Sequence, residues 1–128
     1  MSIELKLLVW SVALTALLVV IATVGAIAQV GLPRLAGNRE KMPEILGWAG
    51  RAQRAHRNML ESLVLFACLV LVTHVTGKAN AMTALGAQLF FWARVAYVPV
   101  YLIGIPWVRT GAFAVAVAGM LLILAQLL

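Results

Sequence analysis

Residues 50–76 read GRAQRAHRNMLESLVLFACLVLVTHVT, from Gly50 to Thr76. Nothing after Gly50 breaks a helix, so the polar first half runs straight into the apolar second half as one helix. From Met59 to Thr76 the run approaches the ~20 apolar residues that cross a hydrocarbon core ~30 Å thick. A helix that opens on arginines and continues apolar is one that enters a bilayer from a charged surface.

Three further apolar runs flank it: Leu5 to Val30, Ala81 to Ile103 and Thr110 to Leu128. Gly31-Leu32-Pro33, Gly77-Lys78-Ala79-Asn80 and Gly104-Ile105-Pro106 separate the runs and end helices. The expected architecture is all-α, a bundle of four transmembrane helices at about 5–30, 50–76, 81–103 and 110–128 in a single domain covering 1–128. Composition agrees: 64% of residues are apolar, 11% are charged, and the mean hydropathy is +1.03. A soluble domain carries roughly twice that charged fraction. Closed barrels are excluded, because no alternating strands of about ten residues occur. Ala26-Ile27-Ala28 has the look of a signal cleavage site, but the apolar run before it is too long and Glu4 sits in the would-be basic leader, so a retained helix is expected.

The net charge of +6 is unevenly placed. Arg34, Arg39, Lys41, Arg51, Arg54 and Arg57 lie between the first two spans and Arg109 before the fourth, whereas the other face carries Lys6 and Lys78. The positive-inside rule then puts the 31–50 loop and the third loop on the cytoplasmic side, with both termini opposite. No nucleic-acid partner is expected, because these cations abut apolar spans instead of forming an exposed stripe. Cys68 has no second cysteine and reads as a small packing residue. His56 and His74 lack partners at metal spacing, so no metal is expected.

The informative charges are those that enter the membrane. Arg54, Arg57, Asn58 and Glu61 fall on one helical face by the i, i+3, i+4, i+7 rule. Arg94 lies near the middle of the third span, where an arginine costs a few kcal/mol and should find a partner inside the bundle. Tyr97 and Tyr101 follow on the same face, and Glu61 is the acidic residue placed to pair with Arg94. A bridge of that kind could simply pin two helices, and Arg51 could simply set topology. The whole set looks more like a pocket for an anionic, hydrogen-bonding ligand that also carries a positive group for Glu61. Ala112 with Ala116, Ala114 with Ala118, and Ala22 with Ala26 give small-xxx-small spacing for close helix approach. Trp48 and Trp107 sit near membrane boundaries, and Pro99 should loosen the third helix between the two tyrosines.

Arg54 to Ser62, RAHRNMLES, resembles the second-helix signature of the membrane-associated proteins in eicosanoid and glutathione metabolism, the MAPEG family. The pattern R-A-x-x-N-x-x-E is met by Arg54, Ala55, Asn58 and Glu61, with Arg57 matching the prostaglandin-synthase branch. R-V-A-Y-x-x-x-Y from Arg94 to Tyr101 resembles the third-helix motif, and Arg109-Thr110 the arginine before helix four. Within that family the chain resembles a bacterial-type microsomal glutathione transferase. The resemblance implies a homotrimer in the bacterial inner membrane, with a glutathione site between neighbouring subunits that opens to the cytoplasmic side. It further implies that Arg51, Arg54, Arg57, Asn58 and Glu61 hold the peptide, that Arg94, Tyr97 and Tyr101 line the site, and that Arg109 faces the sulfur as the catalytic residue. Ser62 stands where the leukotriene branch has tyrosine, and Tyr97 where the prostaglandin branch has histidine. A general glutathione transferase or peroxidase is therefore expected, with glutathione as co-substrate and a hydrophobic electrophile or lipid hydroperoxide as its target.

Two other classes share the architecture. A non-catalytic scaffold that binds lipid or glutathione would need no cation beside the sulfur. A small multidrug transporter needs an ionisable carboxylate deep in the first helix; here Glu4 is at its edge and the remainder of that span lacks acidic residues.

Overall fold

The fold is a computed structural model that describes residues 1–37 and 43–128. Arg39 and Lys41 of the basic loop lie outside the described residues. Five helices follow in order: α1 (Ile3–Val30), α2 (Leu32–Ala36), α3 (Gly47–Thr76), α4 (Ala81–Ile103) and α5 (Pro106–Leu127). Four of them are long and apolar enough to span a membrane, and α2 is a single short turn. The protein is an integral, multi-pass membrane protein.

Local chemistry sets the ends. Ser2 caps α1 by accepting from the Leu5 N–H at 3.3 Å. Asn80 caps α4 with a reciprocal box, its side chain accepting from the Met82 and Thr83 N–H groups while Thr83 Oγ1 accepts from the Asn80 N–H. Gly77 and Gly104 close α3 and α4 in the left-handed region, at φ +67° and +90°. Two starts differ from the sequence reading. α3 begins at Gly47, and α5 at Pro106 instead of Thr110, because proline's fixed φ suits the first helical position. Arg109 thus sits inside the first turn of α5 and not before it. Pro99 lies within α4, which nonetheless runs on to Ile103.

α3 and α4 form the centre, with α1 and α5 packed on opposite flanks. The core of α3 against α4 is a stacked pair, Phe66 and Phe90, with ring centroids 4.0 Å apart. α4 and α5 meet backbone to backbone: a Cβ on Gly86 would lie 2.5 Å from the Gly119 carbonyl oxygen, and one on Gly119 the same distance from that of Gly86. The small-residue face of α5 is therefore centred on Ala116 and Gly119, and Ala114 and Ala118 are exposed. On α1 the expected face holds, since Ala26 is buried and Gly25 is packed against Ala49 and Trp48. In the apolar spans, Ser11, Thr15, Thr73 and Thr76 return their hydroxyls to the carbonyl four residues back, which satisfies those groups without water. Val12, Leu17, Val64, Leu65, Val115 and Leu121 are exposed, as the outer surface of a bundle in hydrocarbon should be.

Because the Gly86–Gly119 contact has no room for a side chain, Gly119→Leu should cost about 1–3 kcal/mol, the usual penalty of overpacking. Gly111→Ala, where an added Cβ meets nothing within 4 Å, should be near neutral. Unfolding midpoints in detergent, compared for the two variants, check this.

Candidate functional site

Arg94 organises the interior. It is fully buried on α4, and its guanidinium reaches across to α3. Nη1 donates to Asn58 Oδ1 at 2.7 Å and Nε donates to Met59 Sδ at 3.1 Å. The guanidinium carbon stands 4.3 Å from the centre of the Tyr97 ring, a cation–π contact in a dry setting. Nη2 has no hydrogen-bond partner among the described residues. The expected Arg94–Glu61 bridge does not form. Asn58 and Met59 reach the guanidinium, while Glu61 is exposed and lines the outer groove between α3 and α5.

The C-terminal end of α4 is held by arginines from two other helices. Arg54 Nε donates to the Tyr101 hydroxyl at 3.3 Å. Arg109 lies over the other part of that tyrosine, its guanidinium carbon 5.0 Å from the ring centre. Arg51 Nε donates to the Leu102 carbonyl at 2.8 Å, tying α3 to a carbonyl that the end of α4 leaves free. Tyr97 and Tyr101 are themselves in ring contact, with centroids 5.2 Å apart.

These groups border a cavity of about 270 Å³ lined by Asn58, Tyr97, Tyr101, Arg109, Thr110 and Phe113. The structure thus brings together Asn58, Tyr97, Tyr101 and Arg109, with Arg54 bonded to one wall and Arg94 behind another. Arg51 stands beside this assembly as a strut. A second, mostly apolar groove of about 490 Å³ runs between α3 and α5; Asn58 and Glu61 form its polar end and Leu65, Phe113 and Val117 part of its apolar length. Cys68 lines this groove and is exposed, not packed inside. Arg57 goes elsewhere. With Gln53 and His56 it lines a third cavity, of about 630 Å³, against α1 and α2. Successive helical residues point about 100° apart, so Arg57 and Asn58 turn to opposite flanks.

Met59, Thr110 and Phe113 did not stand out in the sequence. Methionine inside an apolar run carries no polar signal, although its sulfur is a weak acceptor. Phe113 becomes legible once α5 is started at Pro106, because it then follows Arg109 at i+4 on one face.

Fold and site together define a multi-pass helical membrane protein with a basic, tyrosine-walled cavity near one end of the bundle. The model of the MAPEG family matches residues 7–128, nearly the whole chain, and the protein belongs to that family, which includes glutathione transferases and related proteins. Neither the curated proteins nor the solved structures give a match to this chain.

Among the described residues Asn58 is the one oxygen acceptor bonded to the buried Arg94, so its loss leaves that charge to the Met59 thioether and the Tyr97 ring. Asn58→Leu should destabilise the fold by about 1–3 kcal/mol or more, the cost of leaving a buried group unpaired. Tyr101→Phe, which removes one partly buried hydrogen bond and leaves no buried charge unpaired, should cost about 0.5–1.5 kcal/mol. The order of the two unfolding midpoints is the check.

Proposed function

We propose that the protein is a membrane-bound glutathione transferase and peroxidase, which ionises the glutathione thiol beside Arg109 and presents the thiolate to hydrophobic electrophiles or lipid hydroperoxides. The cavity lined by Asn58, Tyr97, Tyr101 and Arg109 carries this conclusion. It combines a guanidinium, two phenols and a carboxamide, the donors that an ionised thiol and a carboxylate require. Membership of a family that includes glutathione transferases supports the same ligand.

The chemistry follows from the wall residues. A thiol is a weak nucleophile until it loses its proton, and a nearby cation favours the thiolate. Arg109 is that cation, held over Tyr101. The thiolate sulfur bonds to the electrophilic carbon and the leaving group departs with its electron pair. With a hydroperoxide the sulfur takes the terminal oxygen as the O–O bond breaks, the alkoxide takes a proton and leaves as the alcohol, and a second glutathione thiol converts the resulting sulfenic acid to the disulfide and water. The apolar groove between α3 and α5 shares Asn58 and Phe113 with the cavity, which gives a lipid-borne electrophile a path to the sulfur.

At about 270 Å³ the cavity is at the lower limit for a ligand of this size, since sites for drug-sized ligands run about 300–1,000 Å³. The tripeptide accordingly extends along the exposed ridge of α3, where Arg54 and Glu61 bind its carboxylate and ammonium ends. Arg57 lies on the far flank of that ridge. It reaches a shared ligand across a subunit boundary, in keeping with a homotrimer whose sites lie between neighbours, with the Arg51 end of α3 facing the cytoplasm of a bacterial inner membrane. The single domain covers residues 1–128.

The apolar groove would also suit a scaffold that only holds lipid, and turnover separates the two readings. Added to the purified protein near neutral pH, glutathione should give a saturable ultraviolet thiolate band, and a chlorinated nitrobenzene should be conjugated. A band without conjugation favours the scaffold, and the absence of both removes glutathione from consideration. Arg109→Ala should leave glutathione affinity within a few fold, raise the pKa of the bound thiol and lower turnover by roughly 10²–10³, as loss of one charge-stabilising donor does. An unchanged thiol pKa would remove Arg109 from that role. Glu61→Gln should weaken glutathione binding in the same titration while leaving the thiol pKa in place.

A further inference from the structure

The sequence places Arg94 among the residues that touch the ligand, but the structure gives it no surface to do so. It is 0% exposed and is absent from the linings of the three cavities. What it does touch is Asn58, and Asn58 lines both the Arg109 cavity and the α3–α5 groove.

A guanidinium has donors only. The Asn58 atom that sits 2.7 Å from Arg94 Nη1 must therefore be the carbonyl oxygen, and the amide cannot be turned over without setting donor against donor. Arg94 is in turn held by Met59 Sδ and the Tyr97 ring, so it does not follow the amide if that rotates. With its oxygen turned inward to Arg94, the Asn58 side chain turns its two Nδ2–H donors toward the cavities. The charge on the oxygen side also polarises the amide and strengthens those donors.

We propose that Arg94 is a positioning residue that locks the Asn58 carboxamide with its donors toward the ligand, so that Asn58 accepts only an acceptor group there, a carboxylate or a thiolate. The proposal rests on the glutathione reading for the identity of that ligand. It also divides the labour along α3. Asn58 rejects a group that can only donate, such as an ammonium, and Glu61, which shares the groove, is left to receive it.

Asn58→Asp separates this role from a structural one. Aspartate still offers Arg94 an oxygen, so the fold survives, as an unfolding midpoint at or above that of the wild type would verify. The cavity, however, now meets carboxylate oxygen in place of N–H. Glutathione affinity should then fall at least tenfold; an unchanged affinity would mean that Asn58 serves only to hold Arg94, and the proposal fails. Arg94→Met frees the amide to turn and should weaken binding several fold in the wild-type background, with no further loss in the Asn58→Asp background. Additive losses overturn the proposal, because Arg94 would then act independently of Asn58. Two analogues identify the bound group. If the Asn58→Asp loss disappears for glutathione with a methyl in place of the thiol, the partner is the sulfur. If it disappears for glutathione amidated at the glycine, the partner is that carboxylate, and persistence with both leaves the γ-glutamyl carboxylate. The side-chain amide resonance of Asn58, assigned by its loss in Asn58→Asp, provides a readout without ligand. It should be a single pair of lines in the wild type and broaden or double in Arg94→Met, and an unaltered pair overturns the positioning role. A wild type that binds no glutathione but shows this change sinks the glutathione reading and leaves the positioning of Asn58 in place.

Discussion

A guanidinium in the middle of a membrane span has to be answered from within the protein, and the packing of the central helices follows from how Arg94 is answered. Hydrocarbon supplies no acceptor, so α3 must lie close enough to α4 for Asn58 and Met59 to reach it, and the Tyr97 ring must cover one face. That brings α3 into register with α4, and the stacked Phe66 and Phe90 carry the same contact further along the bundle. The tyrosine one turn beyond Tyr97 then falls within reach of Arg54 and Arg109. The cavity is thus a consequence of satisfying a buried charge at the place where three helices converge.

The two ends of the bundle are built from different materials. At the end away from the cavity, the carboxylate of the buried Glu4 accepts from the Thr83 hydroxyl at 2.8 Å, Asn80 donates to Gln126, and the Lys78 ammonium donates to the Leu127 carbonyl at 3.4 Å, so one carboxylate, one amide pair and one lysine fasten that end. At the cavity end Gln29 bonds both ways to the Leu46 backbone, and the fastenings among α3, α4 and α5 are arginines: Arg51 on Leu102, Arg54 on Tyr101, and Arg109 over the same ring. Arginine suits this task because it keeps its charge and has several donors, so it can brace a helix end with one nitrogen and leave others free. On the proposed function, bracing and ligand binding draw on the same side chains. This makes the cavity end both rigid and strongly cationic, which is what preorganised binding of an anion needs.

Between these ends, α5 meets α4 at a close glycine contact, with the buried Ile123 packed beside it. In a bilayer, lipid competes well with leucine for leucine, so close backbone approach, as at Gly86 and Gly119, is the more effective way to hold two helices. The attachment fixes the angle at which α5 leaves Pro106, and with it the position of Arg109 and Phe113 over the cavity.

Much of this was legible in the chain itself. Four apolar runs and their glycine and proline breaks determine four spans, because span length is set by bilayer thickness and backbone hydrogen bonding, both local matters. Asn58, Tyr97, Tyr101 and Arg109 of the cavity were legible too, since polar groups in apolar runs are conspicuous, whereas Thr110 and Phe113 were not; the motif around Arg54 to Glu61 led to the family that the match over residues 7–128 bears out. Partnership was not legible. Glu61 was the obvious mate for Arg94 by charge, yet Asn58 holds it, because the direction of a side chain around a helix and the helix it meets are decided only when the helices pack. For the same reason the stripe from Arg54 to Glu61, continuous on a helical wheel, parts in space, with Arg57 turned toward α1 and Asn58 toward α4 and α5. Sequence by itself determined which residues must be buried or at a boundary; tertiary structure decided which of them face one another, since hydrogen bonds and cation–π contacts are short-ranged and depend on where separate helices cross.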